Sequence, residues 1–306
     1  MKIPKLLVST VVRGAQRGES HGALYLVDIA ARDVEQVADW RSEAIDFSGQ
    51  GGDRGLRGIA VVGKEIFVAA SDEIFAFDPW FQVIGSWKNP YLKHCHEISA
   101  HGGKLYLTST AFDAVLRMDV KSRRFERGMK IVNTGGVIGL KAFDPGIPGE
   151  VERDNLYHLN SVHADASSIF VAGRKMPALV KMTEASIEVA AGLPRGAHNA
   201  RPFEGGILYN DGDGDAVVWA TQEQWVASPV PRYPREALVN AGADTGHGAR
   251  QVFGRGLCVL SEKLVAAGSS PATVSVHDVE AGRVVEQLNL TMDVRQAVHG
   301  LAAWPF

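Results

Sequence analysis

The sequence predicts an all-β chain folded as a six-bladed β-propeller of four-stranded blades, the last blade closed by N- and C-terminal strands. Three observations lead there. First, a short segment, polar or glycine-rich at its start and apolar later, recurs six times: LRGIAV from Leu56, CHEISA from Cys95, LNSVHA from Leu159, AHNARP from Ala197, GRGLCV from Gly254 and VHGLAA from Val298. Second, five of the six are followed by a turn signal and an alternating strand. Third, the sixth lacks that sequel at Phe306, while KLLVST from Lys5, ALYLVD from Ala23 and VEQVADW from Val34 supply the missing strands at the other terminus. Internal repetition of this kind marks a repeat architecture, at about 51 residues per blade.

Each blade is legible in order. The segment that starts a blade is its inner strand. The second strands are EIFVAA from Glu65, KLYLTS from Lys104, SIFVAG from Ser168, GILYND from Gly206 and KLVAAG from Lys263. A tight polar turn then leads to EIFAFD from Glu73, AVLRMD from Ala114, ALVKMT from Ala178, AVVWAT from Ala216 and TVSVHD from Thr273. A weaker fourth strand follows, such as FQVIGSW from Phe81 or VVEQLNL from Val284. Period-two alternation between Gly, Asp, Asn and Ser turns is the strand and hairpin signal, and no amphipathic helix of useful length competes with it. Closing the last blade from both termini satisfies edge groups that an open array leaves unpaired. A β-sandwich of short strands is the rival fold. Six aligned copies and the terminal complementation favour the propeller, read as a single domain over residues 1–306.

Composition narrows the function classes. The 306 residues are 45% apolar and 22% charged, with 33 glycines, 13 prolines and two cysteines, which excludes disordered, collagen-like and disulfide-framework chains. A formal charge of -3 argues against nucleic acid and acidic membrane surfaces as partners. No apolar run approaches a membrane span. Met1–Val12 reads as a strand rather than a signal peptide, since Arg13 and Arg17 follow a short apolar core. Cys95 and Cys258 fit a reducing compartment, and a cytoplasmic protein is expected.

Uneven spacing between the six starts leaves two insertions, roughly Val132–Tyr157 and Pro231–Gln251. They are expected as long loops on the face where the inner strands begin, where function usually sits.

Aligning the six starts gives a column: Arg57, His96, Asn160, His198, Arg255 and His299. Inner strands surround the propeller channel, so these side chains are expected to ring its mouth. His96, His198 and His299 fall in alternate blades, and three imidazoles about a threefold axis are the makings of a catalytic metal site. The divalent ion is zinc or another transition metal that suits imidazole. Arg57 and Arg255 beside it form an anion clamp, since guanidinium matches carboxylate or phosphate. Asn160 orients substrate or adds a ligand. His94 and His158, two residues earlier on the same strand side, are candidates to move a proton. Arg201 and His163 follow the column by three residues, and Arg201 joins Arg57, Asn160 and Arg255 as a candidate to bind substrate. Glu97 shares the opposite side with Cys95, and is a base only where the strand start is irregular. The bland alternative is a wet, polar channel lining that binds nothing, with each histidine a hydrogen-bonding residue.

Three motif tests fail. HEISAH from His96 has one residue too many for the zinc-protease helix motif and lies on a strand. DGDGD from Asp211 resembles a calcium loop, but Gln222 stands where the bidentate glutamate belongs. GHGARQVFGRG from Gly246 lacks the strand–turn–helix setting of a dinucleotide site.

HLNSVH from His158, AHNARPF from Ala197 and FGRGLCV from Phe253 resemble the HLNGLA, PHSPRW and TRGLAF runs of an uncharacterised bacterial family of six-bladed propellers, in the same order. LRGIAV resembles that family's RPMGLA run. The resemblance covers most of the chain from Leu56 onward. It implies the fold and the mouth residues Arg57, His158, Asn160, His198 and Arg255, and no activity. VHGLAAWPF departs from the pattern, so His299 rests on spacing alone. Calcium ligation of the gluconolactonase type is not evident. Streptogramin-type lyases, which use channel histidine with a divalent metal, are similar in the chemistry of the mouth and not in sequence.

Together these readings point to a metal-dependent lyase or hydrolase acting on a small anionic substrate at the channel mouth. The alternative is a non-enzymatic propeller that binds a ligand or a protein partner through the same face.

Overall fold

The computed structural model describes residues 3–41, 54–243 and 249–306, so the Gly246–Gly248 start of the glycine-rich run lies outside them. The strands in chain order are β1 (Leu6–Val12), β2 (Gly22–Asp28), β3 (Asp33–Trp40), β4 (Ile59–Val62), β5 (Glu65–Ala69), β6 (Glu73–Phe77) and β7 (Val83–Lys88). Next come β8 (Ile98–His101), β9 (Lys104–Ser109), β10 (Ala114–Asp119), β11 (Phe125–Thr134) and β12 (Val137–Phe143). The third group is β13 (Leu159–Ala164), β14 (Ile169–Gly173), β15 (Ala178–Met182) and β16 (Ile187–Gly192), and the fourth β17 (Ala197–Phe203), β18 (Gly206–Asp211), β19 (Ala216–Ala220) and β20 (Trp225–Pro229). The chain finishes with β21 (Arg255–Val259), β22 (Leu264–Ser269), β23 (Thr273–Asp278), β24 (Arg283–Asn289) and β25 (Gln296–Ala303).

These strands form six antiparallel sheets with the topology of a six-bladed propeller. Five sheets have four strands each: β4–β7, β13–β16, β17–β20, β21–β24, and the closing sheet in the order β25-β1-β2-β3. The expected terminal closure is therefore present, with Leu6 opposite Ala303 and Val12 opposite Gln296. The remaining sheet has five strands, because β12 pairs along the outer side of β11. That corrects the first insertion: much of the stretch expected as a loop is an extra edge strand. Phe143 lies against Gly128 at the pairing, where any side chain would collide with its ring. The described parts of the second insertion, 231–243 and 249–251, are irregular, with short 3-10 turns at Arg235–Ala237 and Ala241–Ala243; residues 244–248 lie outside the described residues.

By compactness the chain divides into two units, one of residues 1–57 with 209–306 and one of residues 58–208. In the 58–208 unit, Phe67, Ile74, Leu92, Leu105, Leu107 and Leu116 belong to one apolar core. In the other, Leu6, Val8, Ala266, Val274, Val276 and Val298 form the corresponding core. Burial falls from inner to outer strands: every residue of β1 is buried, whereas β3 and β24 are mostly exposed or half-buried. Among the described residues no helix is long and apolar enough to cross a membrane. Cys95 and Cys258 are buried thiols.

Two features of the 1–57/209–306 unit set its stability. Gly300 of β25 passes directly against the Arg57 carbonyl, which also accepts the Ser9 hydroxyl. A methyl group there would meet backbone, which cannot swing away. Gly300→Ala is expected to destabilise the protein by about 1–3 kcal/mol in thermal or urea unfolding.

His277 is fully buried, its Nδ1 2.7 Å from Ser228 Oγ and its Nε2 2.8 Å from Ser275 Oγ. Burial pushes its pKa down to about 4 from 6.5. The folded state therefore refuses a proton that the unfolded chain accepts. Stability present above pH 6.5 is lost as the pH falls towards about 4. The loss is on the order of 3 kcal/mol for this group. Urea unfolding across that range should show the fall, and His277→Gln should flatten it.

Candidate functional site

The sequence column separates into two neighbourhoods, one in each unit. In the 58–208 unit, the inner strands begin with unusual backbone. His94, Asn155, His158 and Asn199 all have left-handed φ, between 45° and 57°. Asparagine and histidine tolerate that region better than most residues, and such conformations gather where a fold positions ligand-contacting groups.

That backbone aims the rings. His96 Nδ1 lies 2.8 Å from the His94 carbonyl and 2.7 Å from Thr110 Oγ1. A carbonyl only accepts, so Nδ1 carries the proton and Nε2 the lone pair in the neutral ring. The Thr110 hydroxyl in turn donates to the Leu159 carbonyl, which ties the His96 ring to β13. His198 repeats the device, with Nδ1 2.6 Å from the Gly196 carbonyl. His158 Nδ1 lies 3.1 Å from Asn155 Oδ1. The His96 and His158 rings meet edge to face, 5.4 Å between centroids. Asn160 is committed to the fold. Its Nδ2 donates to the Ala197 carbonyl at 3.0 Å, and its Oδ1 accepts from Ser161 Oγ. The His94 amide donates to Asp72 Oδ1 at 3.1 Å, and Asp72 also pairs with Lys93.

Behind these rings lies Glu97. Its carboxylate accepts from the Val162 amide at 3.1 Å, from Asn199 Nδ2 at 3.0 Å and from Arg201 Nη2 at 3.0 Å. Burial pushes the Glu97 carboxyl up, while the Arg201 charge and the three donors pull it back. Arg201, expected against substrate, thus has its guanidinium on Glu97, with the two side chains 17% and 10% exposed. Nearby His163 is held down to about 4, chiefly by burial and next by the Arg201 charge, so its ring is neutral at pH 7.

The other neighbourhood belongs to the 1–57/209–306 unit and holds Arg57, Arg255 and His299, all buried. The guanidinium of Arg255 stacks on Phe253 at 3.6 Å from the ring centroid, that of Arg13 on the same ring at 4.2 Å, and that of Arg250 at 5.3 Å. Arg250 is paired with Asp215. The Arg57 segment runs beside the end of β1, where the Leu56 amide donates to the Thr10 carbonyl. Gly256, at φ +72°, packs on the His299 backbone, and Gly300 on Arg57. Backbone contacts thus link Arg57, Gly256 and His299, while Arg255 and Arg13 share one ring.

Bulges decide which way the column residues point. Asn160 is the extra residue between Leu159 and Ser161 opposite β14. His299 is the extra residue between Val298 and Gly300 opposite β1. On β21 the extra residue is Gly256, not Arg255. A bulge re-aims the side chain it carries, so equal sequence position does not mean equal direction. Among the described residues no group of three or more His, Cys, Asp or Glu side chains is placed to hold a metal ion. The expected set of His96, His198 and His299 is accordingly not found as a preformed centre.

Sequence reasoning missed Arg13, Phe253, Thr110 and Asn155. Phe253 stands two residues before Arg255, an aromatic–arginine spacing that carried a signal. Arg13 was read only as a charge that ends an apolar run. Thr110 and Asn155 had no sequence signal, since their role depends on loops meeting in space.

The Glu97–Arg201 pair is open to a direct check. Arg201→Ala leaves a mostly buried carboxylate without its counter-charge and is expected to destabilise the fold by about 3 kcal/mol. Glu97→Gln added to it should recover part of that loss in the same unfolding measurement.

No family model and no curated protein matches the chain in sequence. Solved structures do match in fold. A nidogen–laminin complex contains a chain similar at TM-score 0.59 with 10% identity, covering 98% of both chains. A protein of unknown function from Bacteroides caccae is similar at TM-score 0.55 with 14% identity, again covering 98% of both. Apo AztD from Citrobacter koseri is similar at TM-score 0.50 with 10% identity, over 95% of this chain and 83% of that one. At such identities the likeness establishes the propeller fold alone.

Proposed function

We propose that this propeller binds a small anionic molecule, bearing carboxylate or phosphate, at the arginine cluster of Arg57, Arg255 and Arg13. The observation that carries the reading is the pair of buried guanidiniums stacked on Phe253. Two cations that share one ring lie no farther apart than their two ring distances combined. At an effective dielectric near 20 their repulsion is about 2 kcal/mol. An anion seated between them turns that repulsion into attraction. Stacking holds each guanidinium flat, Arg255 Nη1 donates to the Gly254 carbonyl at 2.8 Å, and a planar guanidinium matches the geometry of carboxylate or phosphate. The His299 backbone packs on Gly256, next in the chain to Arg255, and the following Gly300 packs on the Arg57 carbonyl, so we assign His299 to the same neighbourhood.

A metal-dependent lyase or hydrolase is the second reading. The His96 and His198 rings favour it. Each is fixed through Nδ1 to the carbonyl two residues back, and fixing the far nitrogen is how proteins orient metal-binding histidine. His94 and His158 are then the groups placed to transfer a proton.

Thermal unfolding of the full chain with phosphate, pyrophosphate, malate or citrate, against sodium chloride at equal ionic strength, tests the first reading. At least one anion should raise the Tm by several degrees. Arg255→Met should weaken that response about tenfold to a hundredfold, the worth of a charged hydrogen bond, and Arg57→Met should weaken it too. A response no larger than that to chloride, or one unchanged in Arg255→Met, overturns the assignment.

A further inference from the structure

We infer that Arg250 is a second arm of the proposed anion site and that the ligand carries two anionic groups, as a diphosphate or a dicarboxylate does. The inference rests on the anion site proposed above and adds the class of ligand to it. Every residue it uses lies in the 1–57/209–306 unit.

Three observations carry it. The first is a graded set of guanidiniums on one ring. Arg255 and Arg13 are buried and stack on Phe253 at 3.6 and 4.2 Å, while Arg250 stands over the same ring at 5.3 Å with its side chain 36% exposed. The second is the partner of the outer arm. Arg250 Nη1 donates to Asp215 Oδ1 at 2.7 Å, and its Nη2 donates to the Gly212 carbonyl. Both acceptors belong to DGDGD, the run that lacks the calcium-loop glutamate. Asp211 of that run accepts from the Asp213 and Gly214 amides instead. The third is sharing. Asp215 Oδ2 also accepts from Arg232 Nη2 at 3.1 Å, so Asp215 keeps a counter-charge when Arg250 turns to a ligand.

The energetics follow from exposure. An ion pair this open to water contributes little to stability, so a ligand group replaces Asp215 on Arg250 at small cost. Asp215 stands where the second anionic group would sit: it holds the guanidinium beside Phe253 and shows that a carboxylate fits there. A guanidinium carbon paired with an anion lies roughly 4 Å from the central atom of that anion at charged hydrogen-bond lengths. Arg250 and Arg255 lie no farther apart than their two ring distances combined. Adjacent phosphates of a diphosphate, or the two carboxylates of malonate, are long enough to span both arms. Once the first group is held at the buried arginines, the second contact is intramolecular and adds to affinity without a second cost of association.

The test is calorimetric titration of the full chain, with chelator present and at constant ionic strength, comparing phosphate with pyrophosphate and acetate with malonate. The two-group member of at least one pair is expected to bind about tenfold tighter or more, the worth of a further charged hydrogen bond. The pair that shows the preference separates phosphate from carboxylate chemistry. Arg250→Met should cut that ratio about tenfold and leave the affinity of the one-group member within about threefold. Arg250→Lys keeps the charge without the fork and should recover only part of the ratio. Asn suits the left-handed backbone at 215 (φ 52°), so Asp215→Asn keeps the turn, removes the competing carboxylate, and should tighten the two-group ligand about threefold. Arg283→Met removes an exposed charge at the start of β24 and should leave the ratio unchanged. The inference is overturned by a wild type with no preference, by a preference that survives Arg250→Met, by one lost equally in Arg283→Met, or by Asp215→Asn weakening the two-group ligand. Loss of one-group binding in Arg250→Met overturns it too. In each of those cases an anion response that depends on Arg255 leaves the proposed site standing, whereas a wild type that binds none of the four anions overturns both.

Discussion

The pairing of β25 with β1 is the constraint on which much else depends. β1 is buried along its whole length, with β2 on one side and β25 on the other. Without β25, one entire row of β1 amides and carbonyls would be buried without ladder partners, a penalty no side chain could offset. The pairing also does chemical work. It draws Gly300 against the Arg57 carbonyl and places the bulged residue His299 beside Gly256. The same ladder that closes the last blade thus assembles one of the two polar neighbourhoods.

Polar groups are buried in this fold under two regimes. Some are fully paired and structural. Glu97 collects donors from strands β13 and β17, and His277 is bracketed by two serine hydroxyls. Such networks pin neighbouring sheets to one another because a half-satisfied buried carboxylate or imidazole is far worse than a satisfied one. Others gather like with like. Arg13 and Arg255 press on one phenylalanine, and His96 and His158 bring two imidazoles together. Gathering like groups gains little for stability, and the proposed functional readings rest on these places.

Irregular backbone marks the boundary between the two regimes. Bulges at Asn160, Gly256 and His299, with the left-handed residues His94, Asn155, His158 and Asn199, all lie on inner strands or just before them. A regular ladder would send successive side chains strictly to alternate sides. The irregularities relax that rule and let a strand start turn one side chain towards a neighbour's ring or carbonyl. The scaffold stays regular where sheets pack and departs from regularity where polar groups are presented.

The sequence by itself determined the blades, their order and the terminal closure, because alternation and repetition are properties of the chain that survive without coordinates. It also found most of the relevant polar residues, since Arg57, His96, His158, Arg255 and His299 stand at recognisable strand starts. It did not determine which of them meet. Asn160 and Arg201 looked like substrate contacts and are hydrogen-bonded into the fold, and the three evenly spaced histidines are not grouped to hold a metal ion among the described residues. Direction at a strand start depends on a single inserted residue, and partners such as Thr110, Asn155 and Phe253 arrive from segments distant in sequence. Only the tertiary structure decides those meetings, because a bulge or a left-handed φ rotates a side chain through a large angle while leaving the repeat pattern unchanged.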